Sequence, residues 1–223
     1  MPVDGARLAA IDAYIERLFV PPDAALAANL RRAETAGLPP IHVSPSEGKL
    51  LWLLTRMCGA RRALEIGTLG GYSTTWLARG LAPGGTIVTL ELSDAHATVA
   101  RASLAAVELD VTVDVRVGPA AAQLAAMAAA GEPPFDVVFI DADKPGYEAY
   151  LGLVMSLVRV GTLILADNVI RDGAVLDDPP PDDNARGAAA FNRAVATHPR
   201  LEAIVVPIVR QVVDGLAIAL VVR

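Results

Sequence analysis

From Arg61 onward, short β-rich apolar runs alternate with stretches in which apolar residues return every three or four positions. The runs Ala63–Ile66, Thr86–Leu90, Val111–Val117, Asp136–Ile140 and Thr162–Ala166 predict strands. Between them, Ser73–Arg79, Ala95–Glu108, Ala120–Ala130 and Tyr147–Leu157 predict helices. Such alternation demands right-handed crossovers and a parallel sheet covered by helices on both faces. The end of the chain departs from it. Leu201–Val209 and Leu216–Val222 are apolar runs separated by a short polar stretch containing Asp214-Gly215, which reads as a hairpin. The expectation is an α/β, doubly wound, Rossmann-like sheet of seven mostly parallel strands with a C-terminal antiparallel hairpin.

Ahead of this pattern, two Ala-rich segments, Asp4–Phe19 and Pro22–Gly37, have helical spacing. A Pro-rich joint then leads to Ser46–Cys58, where Leu50, Leu51, Leu53, Leu54 and Met57 form an apolar helical face. Asp177–Arg186 is the most polar segment and too rich in proline for a helix or a ladder strand, so it reads as a mobile surface loop. One domain over residues 1–223 is expected, with 1–58 as a helical cap or dimerisation region and 59–223 as the α/β core.

Composition removes several classes of function. The chain has 223 residues and a formal charge of −6, which does not favour nucleic acid or an anionic membrane surface as a partner. The hydrophobic fraction of 53% is inflated by alanine, and the longest stretch without Asp, Glu, Lys or Arg runs only from Val117 to Gly131, too short to span a bilayer. The N-terminus has no apolar signal block, and the single cysteine, Cys58, excludes an internal disulfide framework, so a cytoplasmic location is expected. Of 19 basic residues only two are lysine, Lys49 and Lys144. Lysine, unlike arginine, can give up its proton in a protein, so a rare lysine among acids is a candidate for proton transfer.

The first core strand runs into Glu65-Ile-Gly-Thr-Leu-Gly-Gly-Tyr-Ser73, a glycine-rich turn into a helix. Leu69 stands where a dinucleotide fingerprint has its second glycine, so the spacing suits a nucleoside ligand without phosphates better than a pyrophosphate. Glu91 ends the second strand, where a carboxylate can accept both ribose hydroxyls. The fourth strand ends in Asp141-Ala-Asp-Lys144 and the fifth in Asp167-Asn168, and the carboxyl edge of the sheet should bring these near the glycine turn. Asp141, Asp167 and Asn168 offer three hard oxygen donors for Mg²⁺ or Ca²⁺ rather than zinc. The plainer alternative is that they start turns and cap helices. A cation between the strand ends would disfavour the ammonium form of Lys144 and let it act as a base.

With these residues in place, the chain resembles the cation-dependent, S-adenosylmethionine-dependent O-methyltransferases, the family of catechol O-methyltransferase and caffeoyl-coenzyme A O-methyltransferase. The likeness runs from about Ile41 to the end and is most specific at Leu64–Ser73, Asp141–Tyr147 and Ala166–Val169, with further matches at Phe191-Asn192 and Asp214-Gly-Leu216. It implies a class I methyltransferase fold. It also implies that Glu65, Gly67, Thr68 and Ser73 hold the methionine part of S-adenosylmethionine under Val43, that Glu91 takes the ribose, and that Ala120 borders the adenine, with Asp141 and Tyr150 also lining the cofactor. Asp141, Asp167 and Asn168 would hold the divalent cation, Mg²⁺ before Ca²⁺ or Mn²⁺, with Lys144 as base and Lys144, Asn168 and Arg171 facing a catechol-like acceptor. A homodimer is implied as well.

Many relatives have an aromatic residue after Asp-Asn-Val-Leu, whereas this chain reads Asp167-Asn-Val-Ile-Arg171, which could favour an acidic phenol or merely form a surface salt bridge. Two rivals remain. A nicotinamide-dependent dehydrogenase also needs a glycine turn and a strand-end acid, but gives Asp141, Asp167 and Asn168 no work. A non-catalytic S-adenosylmethionine-binding or dimerisation module would bind the nucleoside without turnover.

Overall fold

A computed structural model of the chain describes residues 5–210 and 212–223. Seven strands form one sheet in the order β3-β2-β1-β4-β5-β7-β6. They are β1 (Arg62–Ile66), β2 (Gly85–Glu91), β3 (Val111–Val117), β4 (Phe135–Ile140), β5 (Val158–Ala166), β6 (Leu201–Val209) and β7 (Val213–Val221). The helices are α1 (Gly5–Phe19), α2 (Ala24–Thr35), α3 (Pro45–Met57), α4 (Tyr72–Gly80), α5 (Asp94–Ala105), α6 (Ala120–Ala129), α7 (Tyr147–Val154) and α8 (Asp183–Thr197). Asp4, where the first helix is expected to begin, lies outside the described residues. The chain divides into two compact units, one of Ile15–Gln123 and one joining the N-terminal residues up to Tyr14 with Leu124–Arg223.

In the first unit β1, β2 and β3 run parallel, with Glu65 opposite Thr89 in the register. Helices α2, α3 and α5 of this unit begin on side-chain caps. Ser44 accepts the Glu47 amide at 3.1 Å while the Glu47 carboxylate accepts the Ser44 amide at 2.7 Å, a reciprocal pair that starts α3 with Pro45 in its first turn. Asp23 accepts the Leu26 amide at 2.9 Å to start α2 and pairs with Arg79 of α4 at 2.7 Å.

In the second unit β4 is buried along almost its whole length, as a strand covered on both faces must be, and it pairs parallel with β5 so that Ile140 lies beside Ala166. β7 is antiparallel to both β5 and β6, which makes it the strand of opposite direction that the C-terminal pattern predicts. The hairpin's turn, however, is not at Asp214-Gly215. Those two residues lie inside β7, opposite Ile208 and Pro207, and the chain reverses just before Val213. A polar pair stays in the strand because the Asp214 carboxylate accepts the backbone amides of Ile170 and Arg171.

The expected loop Asp177–Arg186 is also shorter than its composition indicates. Asp182 accepts the Ala185 amide at 2.7 Å, and α8 begins at Asp183, soon after the last proline. Acids that look like loop decoration are an N-cap and a first turn. α8 buries Ala185, Ala188, Ala189, Phe191 and Val195. By contrast α1 buries none of its residues, and Ile11, Tyr14, Ile15, Leu18 and Phe19 stand exposed at helical spacing.

The Asp23 cap has a testable pH signature. Burial pushes its carboxyl up, but the Leu26 amide and the Arg79 guanidinium together pull it down, leaving it below the ordinary value of 3.8. A depressed folded-state value stabilises above 3.8, and that contribution disappears as pH falls through the folded-state value. Asp23→Ala should cost about 1 kcal/mol in urea unfolding at pH 7, and the gap to the parent protein should close in strongly acidic buffer.

Candidate functional site

In the unit of residues 15–123, the glycine turn is organised by two buried carboxylates. Glu65 is fully buried at the end of β1. It accepts hydroxyl hydrogens from Ser73 at 2.6 Å, Thr74 at 2.5 Å and Thr89 at 2.6 Å. A carboxyl group can remain in an apolar core only when its oxygens are met in this way. The effect is to tie the first turn of α4 to β1 and β2.

Glu91, at the end of β2, accepts the amides of Thr68 at 3.2 Å, Leu69 at 2.8 Å and Ser93 at 2.9 Å, and His96 Nδ1 lies 3.5 Å away. It therefore shapes the turn as well as ending the strand. Gly67 takes φ +101°, which an L side chain would resist, and its amide donates to the Leu90 carbonyl at 2.9 Å. Val43 is buried, beside a His42 ring that packs on Tyr72 at 5.3 Å. Ala120 opens α6, just after Gly118 donates to the Glu91 carbonyl at 2.8 Å.

Three residues of this region escape a reading of the sequence. Asn29 of α2 is buried and donates to the Gly70 carbonyl at 3.1 Å, while its carboxamide oxygen has no partner among the described residues. Thr74 and Thr89 supply two of the three hydroxyls on Glu65. The register of β1 against β2 could have pointed to Thr89; nothing local marks Asn29. The buried side chains at the turn are acidic, which suits a cationic nucleoside better than a phosphate-bearing one.

In the second unit, β4 and β5 deliver Asp141 and Asp167 side by side, for the Asp167 amide donates to the Ile140 carbonyl at 3.0 Å. Lys144 follows in a 3-10 turn, Lys144–Gly146, with only 7% of its side chain exposed. Its Nζ donates to Asp141 Oδ1 at 3.0 Å and to the Tyr147 hydroxyl at 2.7 Å. That hydroxyl, fully buried, points its own hydrogen at the carbonyls of Ile140, 3.0 Å away, and Asp167, 3.1 Å away. Burial, and then the charges of Asp141 and Asp167, hold the Tyr147 phenol well above its ordinary value of 10, so it stays a neutral donor.

The turn is also packed from outside. A Cβ on Gly187 of α8 would collide with the Lys144 carbonyl, so only glycine lets α8 lie this close. Tyr150, an expected cofactor contact, donates to Asp143 Oδ1 at 2.6 Å, and burial with that bond raises its phenol above the usual 10.

Asp167 is 4% exposed and accepts the Asn168 amide at 2.8 Å. Asn168 itself is left-handed, φ +55°, and its carboxamide makes no hydrogen bond to any described residue. The Arg171 guanidinium likewise has no ion pair with a described residue. Among the described residues no three His, Cys, Asp or Glu side chains converge as a metal set. A cation here would take two carboxylates and an uncommitted amide oxygen, and that all-oxygen set fits a hard divalent ion. Tyr147 is the residue of this cluster to which the sequence motif gives no role.

Comparison with known proteins gives concordant results. A profile described as O-methyltransferase matches residues 21–222. The chain is 42% identical over 212 residues to a catechol O-methyltransferase of Niastella koreensis, covering 95% of this chain and 96% of that one. An O-methyltransferase of Bacillus cereus, crystallised in complex with SAH, superposes with a TM-score of 0.93 at 42% identity over 97% of this chain and 99% of its own. An O-methyltransferase of Streptomyces achromogenes, crystallised in complex with SAM, gives 0.93 at 37% identity, with both chains covered completely.

Tyr147→Phe removes the acceptor for Lys144 and the donor to two buried carbonyls. It should lower the unfolding free energy by roughly 1–3 kcal/mol without changing the far-ultraviolet circular dichroism. An unchanged denaturation midpoint would mean that the phenol contributes nothing to the turn.

Proposed function

We propose, since this chain belongs to the O-methyltransferase family, that it methylates one hydroxyl of a catechol-like acceptor with the help of a divalent cation and of Lys144 as base. Its fold is the Rossmann-like α/β fold of that family, and S-adenosylmethionine-dependent O-methyl transfer is the reaction the family performs. The observation that carries the finer reading is the buried Lys144, bonded at once to Asp141 and Tyr147 at the acidic ends of β4 and β5. An ordinary surface lysine would be solvated. This one is held still, with its nitrogen aimed at a carboxylate of the candidate cation set.

In this reading Glu65, Gly67, Thr68 and Ser73 hold the methionine part of S-adenosylmethionine, covered by Val43. Glu91 takes the ribose, Ala120 borders the adenine, and Asp141 and Tyr150 line the cofactor. Asp141, Asp167 and Asn168 hold the cation, Mg²⁺ before Ca²⁺ or Mn²⁺. When bound, such an ion makes a phenol more acidic and fixes neighbouring oxygens.

Lys144 removes the proton from the acceptor hydroxyl. The oxygen's electron pair then forms the new bond to the methyl carbon as the carbon–sulfur bond breaks, leaving S-adenosylhomocysteine and a methyl ether. Alignment of the reacting atoms supplies much of the acceleration in such a displacement. Arg171, with no ion pair to a described residue, favours an acceptor that carries a carboxylate. The whole chain serves as one catalytic domain, with residues 1–58 as its helical cap. Neither the dehydrogenase nor the non-catalytic module has an observation in its favour.

The exposed stripe of α1, Ile11, Tyr14, Ile15, Leu18 and Phe19, is suited to cover by a second copy, and a homodimer belongs to the same reading. The single Cys58 suits a reducing, cytoplasmic setting.

The reaction is tested with S-adenosylmethionine and catechols with and without a ring carboxylate, in Mg²⁺ or in a chelator. Methyl transfer should require the metal, fall at least about a hundredfold in Lys144→Arg, and lose its preference for the carboxylated acceptor in Arg171→Ala. Turnover unaffected by chelation would remove the cation, full activity in Lys144→Arg would remove the base, and nucleoside binding without turnover on any acceptor would favour the module. Sedimentation equilibrium should return twice the mass of one chain; a single-chain mass at micromolar concentration would rule the dimer out.

A further inference from the structure

We propose that Asp214 is a positioning residue, whose carboxylate fixes the turn carrying Asn168 and Arg171 and thereby sets the cation's amide donor. The proposal rests on the cation reading above, and it explains a motif, Asp214-Gly215, that neither the hairpin nor the reaction uses.

One oxygen of Asp214 accepts three backbone amides: Ile170 at 3.0 Å, Arg171 at 3.1 Å and Gly215 at 2.9 Å. Two of the three belong to a turn far earlier in the chain, with the whole of α8 and β6 in between. That turn needs holding. Asn168, Arg171 and Asp172 have φ of +55°, +55° and +52°, so three residues without glycine's freedom sit close together in the left-handed region. L residues occupy that region only when surrounding contacts over-determine it.

Other contacts from the same strand and from α8 complete the clamp. The Val169 amide donates to the Gly215 carbonyl at 3.1 Å, and Asn192 of α8 donates to the Val169 carbonyl at 2.7 Å. The Val213 amide donates to Asp172 Oδ1 at 3.2 Å. A Cβ at Gly215 would come within 2.6 Å of Ile170 Cγ1 and 2.9 Å of Val205 Cγ1. The strand therefore passes the turn too closely for any side chain at 215. Asp214 supplies the acceptor for the turn's amides and Gly215 supplies the clearance.

The selectivity of this clamp distinguishes it from general support. Asp141, Lys144 and Tyr147 hold one another through separate bonds, and the glycine turn at residues 67–71 is held by Glu91. Loosening Asp214 moves Asn168 and Arg171 while leaving those sets in place. A partner that orients a metal ligand commonly matters tenfold or more for metal affinity.

The test measures Mn²⁺ binding by electron paramagnetic resonance on the full chain loaded with S-adenosylhomocysteine, beside the affinity for S-adenosylhomocysteine alone and the melting temperature. Asp214→Ala should weaken Mn²⁺ about tenfold or more and leave S-adenosylhomocysteine binding unchanged. Asp214→Asn keeps an acceptor oxygen for the same amides and should retain most of the affinity. Gly215→Ala, which pushes on Ile170 from the same strand, should weaken Mn²⁺ again. Cooperatively melting Asp214→Ala and Gly215→Ala proteins that bind Mn²⁺ like the parent would overturn the proposal, as would equal losses of Mn²⁺ and S-adenosylhomocysteine. A parent protein that binds no Mn²⁺ overturns the cation reading and this inference with it.

Discussion

One phenol proton governs the second unit. The Tyr147 hydroxyl lies where two adjacent parallel strands end, at the carbonyls of Ile140 and Asp167, and it accepts the Lys144 ammonium on its other side. Strand ends are where a ladder runs out of partners, and a buried carbonyl without a donor is costly. The Ile140 carbonyl already accepts the Asp167 amide, and the Tyr147 hydroxyl, shared between that carbonyl and the one of Asp167, adds a second tie between the two strand ends. The lysine is placed by the same atom. Its position follows from the hydroxyl that bridges the two strand ends and from its bond to Asp141.

The first unit solves a related problem with other donors. Its two buried acids are met by hydroxyls and amides: Ser73, Thr74 and Thr89 serve Glu65, while Thr68, Leu69 and Ser93 serve Glu91. A carboxylate paired with arginine would present little field to a ligand, whereas one solvated by hydroxyls still attracts a cationic group in a medium of low dielectric. The two sites therefore differ in composition: hydroxyls and amides meet Glu65 and Glu91 at the glycine turn, whereas the Lys144 ammonium lies beside Asp141 and the Tyr147 hydroxyl.

Much of this is legible along the chain. Continuous apolar runs such as Val137–Ile140 are unambiguous because a strand covered on both faces admits no polar position, and the acids that follow β4 and β5 are conspicuous against them. Asp214-Gly215 misleads because the pair is a good turn signal in isolation; only a partner remote in sequence, the turn at Ile170 and Arg171, makes it a strand. The start of α8 is hidden for the opposite reason, since Asp182 and Asp183 follow three prolines and share their loop-like composition. Asn29 leaves no trace, as a buried amide on a helix is visible only through what it touches. Tyr147 stands inside a recognisable motif, but its three partners come from three places in the chain.

The approach of α8 to the Lys144 turn has a further bearing, on where the sequence is able to vary. Contact at Gly187 registers the helix directly on the lysine's own backbone, and the Asp182 cap fixes where that helix begins. Everything between Asp177 and Pro181 therefore hangs between two anchored points and carries no part of the lysine's support. Residues can be inserted or exchanged in that stretch without disturbing the turn that carries Lys144, so the loop's length and the lysine's placement are able to vary independently.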